Sequence, residues 1–247
     1  MAGVDADRRE FIRKSGTLLG SFVVLKSTGL LAQAGSGPNQ QKGSEDEGEG
    51  GVCAAEDLMR EHGVLSRILL IYGEIIDRLR GGKGFPLATL SASAGLVRRF
   101  IEDYHERLEE DFLFPRFEKA GKLLDLVKVL QEQHRMGRRL TDGILSVVAD
   151  PRWKDPDKRS ALTENMLLFI RMYRPHKARE DTVLFPALHS IVSSSEYDSL
   201  GDLFEDKERE LFGEDGFESA VREVANLERS LGLYELSEFT PRIGALR

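Results

Sequence analysis

Apolar side chains recur every three or four positions along most of the chain beyond residue 54, which is the period of amphipathic helices. Alternating runs of β-branched residues are scarce, so the sequence predicts an all-α protein. Four long helices are predicted, over residues 54–79, from 87 onward, over 122–148 and over 158–190. Two further helices are predicted between residues 196 and 231, separated around the segment 213–216.

Proline falls inside two of the long helices. Pro115 lies within the second one, and a helix passes such a residue only with a kink or a break. Pro175 lies within the fourth, where we expect a local bend.

An eleven-residue stretch occurs twice, with the two copies 71 residues apart. The first copy, from His105, reads HERLEEDFLFP, and the second, from His176, reads HKAREDTVLFP. Each copy has a glutamate four residues after its histidine, Glu109 and Glu180. Because four residues make about one helical turn, the imidazole and the carboxylate leave the same face of the helix.

A single histidine precedes each copy at nearly the same distance. His62 lies 43 residues before His105, and His134 lies 42 residues before His176. Four of the five histidines therefore follow the order H, HxxxE, H, HxxxE. Two repeats, each a pair of helices, predict one four-helix bundle.

Four imidazoles and two carboxylates on facing helices can enclose two metal ions. An isolated HxxxE pair is usually a surface salt bridge, and an isolated histidine is usually a hydrogen-bonded core residue. Two ordered copies favour a metal site instead. Nitrogen and oxygen ligands without a thiolate favour iron, with manganese possible. The predicted ligands are His62, His105, Glu109, His134, His176 and Glu180.

Other polar residues near these positions are predicted not to be ligands. Glu106, Glu110 and Asp181 are expected to be solvated or to support the ligands from outside. His189, 13 residues after His176, is expected to take no part. Beyond such carboxylates, Tyr104 and Tyr173 are the candidates for acid–base chemistry.

Composition excludes several classes of protein. The 247 residues are 40% hydrophobic and 31% charged, with a net charge of −7 and no long basic tract, so a nucleic-acid-binding protein is not indicated. Cys53 is the only cysteine, which excludes an intramolecular disulfide and a cysteine-only zinc site. We expect its thiol to be exposed or half-buried near a helix start.

The N-terminal region differs in composition from the rest. Residues 1–34 contain Arg8-Arg9, a mildly apolar run and a small-residue cleavage site, which predict a Tat-type export signal and a periplasmic or exported protein. A cytoplasmic amphipathic start is the alternative. The run is short and contains Lys26, so no stable membrane insertion is expected. Residues 35–53 are predicted to be a flexible linker, and residues 54–192 are predicted to form the bundle. Residues 193–247 are predicted to be a C-terminal helical extension, which would serve as a structural cap or a dimer surface.

The order H, HxxxE, H, HxxxE in four helices resembles the hemerythrin-like, or HHE cation-binding, domain. The resemblance covers residues 56–190 and includes the context EDLMREHGVL around His62. It implies an up-down four-helix bundle with a non-haem di-iron centre. The four histidines would be terminal ligands, and Glu109 and Glu180 would bridge the two irons, with an oxo or hydroxo group between them.

The chain departs from the oxygen-carrying hemerythrins at one ligand. Those proteins have a second histidine one turn after the ligand on the third helix, and Arg138 stands there in this chain. They also use an aspartate five residues after the histidine of the fourth helix; Asp181 is present, but Glu180 fits the HxxxE pattern better. One imidazole fewer leaves iron more open, which favours reaction with or sensing of O2, NO or peroxide over reversible oxygen carriage.

Two classes of function follow from the resemblance. The first is a binding module for a small diatomic ligand, O2 or NO. The second is a di-iron oxidoreductase acting on peroxide or NO, or an iron-donating repair protein, for which Cys53 is the only thiol available. A metal store or structural site is a third. The expected partners are a gaseous or peroxide ligand and the Tat export machinery.

Overall fold

A computed structural model describes residues 53–241, and within that range the chain is helical with no β-strand. Helix α1 spans Ala54–Arg80, α3 spans Leu124–Ala149, α5 spans Ser194–Phe212 and α6 spans Gly216–Leu231. Helix α2 contains the stretches Leu87–Leu96, Val97–His105, Glu106–Leu108, Glu109–Leu113 and Phe114–Ala120. Helix α4 contains Pro156–Arg179, Glu180–Leu184 and Phe185–Leu188.

Helices α1 to α4 form the predicted up-down four-helix bundle. Helix α1 packs against α2 and α4, and α3 packs against the same two helices. Short connections between successive helices make neighbours antiparallel. The left-handed residue Gly121 (φ 65°) ends α2, where the Lys122 amide donates to the carbonyl of Phe117. The prediction of an all-α bundle followed by two further helices is confirmed.

The C-terminal helices share the hydrophobic core of the bundle. Tyr197, Phe204, Val224 and Leu231 are buried in the same cluster as the inner faces of α1 and α2. Glu228 of α6 accepts two hydrogen bonds from the Arg67 guanidinium of α1, at 3.0 and 2.5 Å. The extension therefore packs directly on the bundle.

The two copies of the repeated stretch share an unusual backbone feature. A wide, π-helical turn begins at Glu109 and another begins at Glu180. In these turns the amides of Phe114 and Phe185 donate to the carbonyls of Glu109 and Glu180, five residues back instead of four. A proline follows each phenylalanine. Since proline has no N–H and its ring crowds the preceding turn, the wider turn lets the helix continue.

A kink or a break was expected at Pro115, but the helix continues through it by way of the wide turn. The helix around Pro175 continues to Arg179. Among the described helices, none is both long enough and apolar enough to cross a bilayer. The predicted export signal over residues 1–34 and the linker up to residue 52 lie outside the described residues.

Candidate metal centre

The six predicted ligands meet in the middle of the bundle. Each of the four histidines comes from a different helix, and both glutamates lie one turn after a histidine of α2 or α4. All six side chains are at most 4% exposed, because the surrounding faces of the helices are apolar. They form two groups whose ligand atoms lie within 4.8 Å of one another: His62, His105 and Glu109, and then His134, His176 and Glu180. We call the pair His62 and His105 the first half-site, and the pair His134 and His176 the second half-site.

The inner ring nitrogens of the histidines point towards each other and towards the two carboxylates. The Nε2 atoms of His62 and His105 are 3.1 Å apart. The outer Nδ1 atoms face carboxylate or amide oxygens, which only accept, so each outer nitrogen carries the ring proton. With both rings neutral, two Nε2 lone pairs would face each other in the first half-site, an arrangement that a positive charge between them, a proton or a metal ion, stabilises.

Each glutamate presents one oxygen to each half-site. Glu180 Oε1 lies 3.1 Å from His176 Nε2, and its Oε2 lies 3.3 Å from His62 Nε2. Glu109 mirrors this, with Oε1 3.8 Å from His105 Nε2 and Oε2 3.3 Å from His134 Nε2. All four oxygens are buried without a hydrogen-bond partner. Carboxylates in this state normally bind a cation, so the residues fit a metal site.

An outer layer of acceptors holds the histidine rings. Asp181 Oδ1 lies 2.6 Å from His62 Nδ1, and Glu61 Oε2 lies 2.6 Å from His105 Nδ1. In the second half-site, Glu110 Oε1 lies 3.1 Å from His134 Nδ1 and Gln133 Oε1 lies 2.9 Å from His176 Nδ1. Such partners fix the ring orientation and the tautomer of metal-binding histidines.

The phenylalanine of each LFP sequence stacks on a histidine of the other repeat. Phe185 lies against His62 with ring centroids 5.5 Å apart, and Phe114 lies against His134 at 5.5 Å. The repeated stretch thus supplies a predicted ligand histidine, a glutamate shared by both half-sites, an outer carboxylate and a stacked ring.

Electrostatics at the site favour positive charge. Burial lowers the pKa of His62, but the hydrogen bond with Asp181 and the nearby carboxylate of Glu180 outweigh it, and the pKa rises to about 9. Burial and the neighbouring Glu180 carboxylate raise the pKa of Glu109 well above its usual value. A surplus of buried negative charge of this kind attracts a cation.

A second polar network adjoins the second half-site. The Tyr173 hydroxyl donates to Glu106 Oε1 at 2.5 Å, and the Tyr173 ring packs edge-on against His176. Arg138 lies 2.8 Å from Glu106 Oε2 and 2.9 Å from Glu110 Oε1. Arg138 therefore does not take the place of the second histidine ligand of the oxygen-carrying hemerythrins. Its guanidinium forms ion pairs with both carboxylates beside His134.

The supporting residues fall partly as predicted. Glu110 and Asp181 hydrogen-bond the rings of two predicted ligands from outside, and Glu106 is buried in the network with Tyr173. His189 is exposed and stacks on Tyr197, away from the ligand groups. Cys53 is half-buried just before α1, where its sulfur accepts a hydrogen bond from the Tyr197 hydroxyl at 3.3 Å.

Sequence reasoning missed Glu61 and Gln133. Each directly precedes a predicted ligand, but its side chain contacts the histidine on the next helix. The signal was present in the repeat, because Glu61 and Gln133 occupy matching positions before His62 and His134. The assignment of the six residues as ligands stays a prediction, although the structure brings all of them together.

Comparison with known proteins agrees with this geometry. The family description "Hemerythrin HHE cation binding domain" matches residues 53–231. Uncharacterized proteins of Mycobacterium tuberculosis and Mycobacterium bovis are 51% identical to the chain over 215 residues, covering 86% of the chain and 84% of each relative. No solved structure matches the chain. The family match spans every helix that carries a predicted ligand and continues through α6, so this chain belongs to the hemerythrin HHE cation-binding domain family.

Proposed function

We propose that the protein is a non-haem di-iron protein that binds or senses a small diatomic ligand, O2 or NO. The observation that carries the proposal is the placement of Glu109 and Glu180. Each has one oxygen towards each half-site, as bridging carboxylates between two ions would. Six protein ligands leave coordination positions on two octahedral ions for a small molecule.

Iron is the ion that this ligand set favours. Imidazole and carboxylate without thiolate suit iron, with manganese as the alternative. Two iron ions would supply redox chemistry and positions where a small ligand binds. The protein's own contribution is to hold the rings, to exclude bulk water and to place two carboxylates between the half-sites.

Oxidoreductase activity on peroxide or NO is the second candidate, and the Tyr173–Glu106 pair favours it. Reduction of peroxide consumes protons, and the Tyr173 hydroxyl is a buried donor whose ring contacts His176.

One experiment tests the proposal and separates the two candidates. The metal-free chain is loaded anaerobically with Fe(II), its iron content is measured, and optical spectra are recorded on adding O2, NO and peroxide separately. We expect about two irons per chain. A reversible band with O2 or NO supports the binding function, whereas continuous loss of peroxide supports the enzyme. A chain that binds no iron after anaerobic loading would contradict the proposal.

The shared carboxylates give a sharper version of the test. Because each glutamate faces both half-sites, Glu109→Ala and Glu180→Ala should each weaken the binding of both ions. Loss of a single ion in both variants, with the other bound normally, would contradict bridging.

A further inference from the structure

The two half-sites differ in the charge of the groups that hold their histidines. In the first half-site both acceptors are carboxylates, Glu61 and Asp181. In the second, the acceptor on His176 is the neutral amide of Gln133. Gln133 occupies the position in the second repeat that Glu61 occupies in the first. At this position the two repeats therefore differ by a carboxylate in the first and a neutral amide in the second.

The other acceptor of the second half-site, Glu110, is a weaker acceptor for its histidine than a free carboxylate would be. Glu110 Oε1 accepts from Arg138 as well as from His134, and Glu110 Oε2 pairs with Arg107 at 2.9 Å. Two guanidinium groups thus share its negative charge. Within residues 53–241, Asp181 in the first half-site pairs with one lysine or arginine, Lys177 at 3.8 Å.

Hydrogen-bond lengths follow the same division. Both bonds in the first half-site are 2.6 Å long, the short distance typical of ionised partners. In the second half-site they are 3.1 and 2.9 Å. A stronger acceptor on Nδ1 makes the opposite ring nitrogen more basic and therefore a better donor to a cation.

We infer that the two ions are bound with unequal strength: the ion at His62 and His105 is held tightly, the ion at His134 and His176 is the exchangeable one, and Gln133 sets the difference. The inference rests on the proposed two-ion function. In it, Gln133 and Glu61 are positioning residues that act through the histidines they contact.

The prediction is tested by the kinetics of iron release. The chain is loaded anaerobically with Fe(II), and an excess of a coloured Fe(II) chelator is added. We expect two phases of equal amplitude, one ion in each. Gln133→Glu should slow the fast phase about tenfold to a hundredfold, the usual size of effects from such outer partners on metal affinity. Glu61→Gln should accelerate the slow phase by a similar factor.

Two variants that act in opposite directions guard against a simple loss of folding, which would accelerate both phases in either variant. Gln131→Glu is the matched control, because it makes the same charge change on α3 at a side chain that contacts Glu118 and no histidine. It should change neither phase.

The outcomes also separate this inference from the proposed function. Two ions that leave in a single phase, or a fast phase that Gln133→Glu does not slow, overturn the inference and leave the two-ion proposal standing. A chain that binds fewer than two irons overturns the proposed function itself.

Discussion

The hydroxyl of Tyr173 lies so close to Gly137 that it leaves no space for a Cβ atom there. An ideal Cβ at Gly137 would be 2.0 Å from the hydroxyl oxygen and 2.7 Å from the ring carbon that carries it. Glycine at this point of α3 therefore lets the tyrosine ring pass between α3 and α4 and reach Glu106.

Gly137→Ala should destabilise the protein by about 1–3 kcal/mol, because the added methyl group would overlap the buried ring of Tyr173. Urea unfolding at equilibrium measures the change. Gly73→Ala in α1 is the matched control, since a Cβ there meets no atom within 4 Å. It should leave stability unchanged or raise it by up to about 1 kcal/mol, the helix preference of alanine over glycine. Equal effects at both positions would show that the close contact with Tyr173 is unimportant.

Replacing a predicted ligand should remove metal and the stability that metal adds. His105→Ala or His176→Ala should lose at least one ion per chain by elemental analysis. Metal that binds only the folded chain stabilises it by about 4 kcal/mol at a thousandfold excess over Kd, so thermal unfolding should move to lower temperature.

His189→Ala is the control for the ligand replacements. Its ring is exposed and stacks on Tyr197, so both metal content and thermal stability should stay close to those of the unmodified chain. If His189→Ala emptied the site while His105→Ala did not, the ligand assignment would be wrong.

The ion pair between Arg67 and Glu228 should contribute measurably to stability. The Glu228 side chain is 7% exposed, so its removal leaves a partly buried guanidinium without its two acceptors. We expect Glu228→Ala to cost about 1–3 kcal/mol in urea unfolding. Glu223→Ala, which breaks the exposed pair with Arg99, should cost at most about 1 kcal/mol. A smaller loss for Glu228 than for Glu223 would contradict this account.

We propose that the chain is exported by the twin-arginine route after folding. Affinity order alone favours copper over iron at a nitrogen–oxygen site, and loading in the cytoplasm lets the cell control which metal is offered. Replacing Arg8 and Arg9 with lysine should keep the full-length protein, with its metal, in the cytoplasm. Cell fractionation and mass measurement check this. Normal export and processing of the variant would instead favour a cytoplasmic protein.

How far the sequence predicts the site depends on the kind of contact. The six proposed ligands were found because HxxxE places two side chains on one face of a helix and because the pattern occurs twice. Glu61 and Gln133 were missed because a residue next to a histidine on a helix points about 100° away from it. Only the pairing of helices shows that each one contacts the histidine of its neighbour.

The wide turns at Glu109 and Glu180 could also not be predicted from the sequence. Pro115 predicted a disturbance of the helix but not its form. The helix can respond to a proline by kinking, by ending or by taking in one more residue, and the packing of the neighbouring helices decides among these.

The difference between Glu61 in the first repeat and Gln133 in the second has a consequence for how such a site can change over evolution. A homodimer built from one helical hairpin would have to carry the same residue at both of these positions, and its two ions would be held identically. A single chain containing both hairpins has no such constraint. Fusion of the two copies allows one ion to be anchored while the other is left free to exchange, with a single amino-acid substitution.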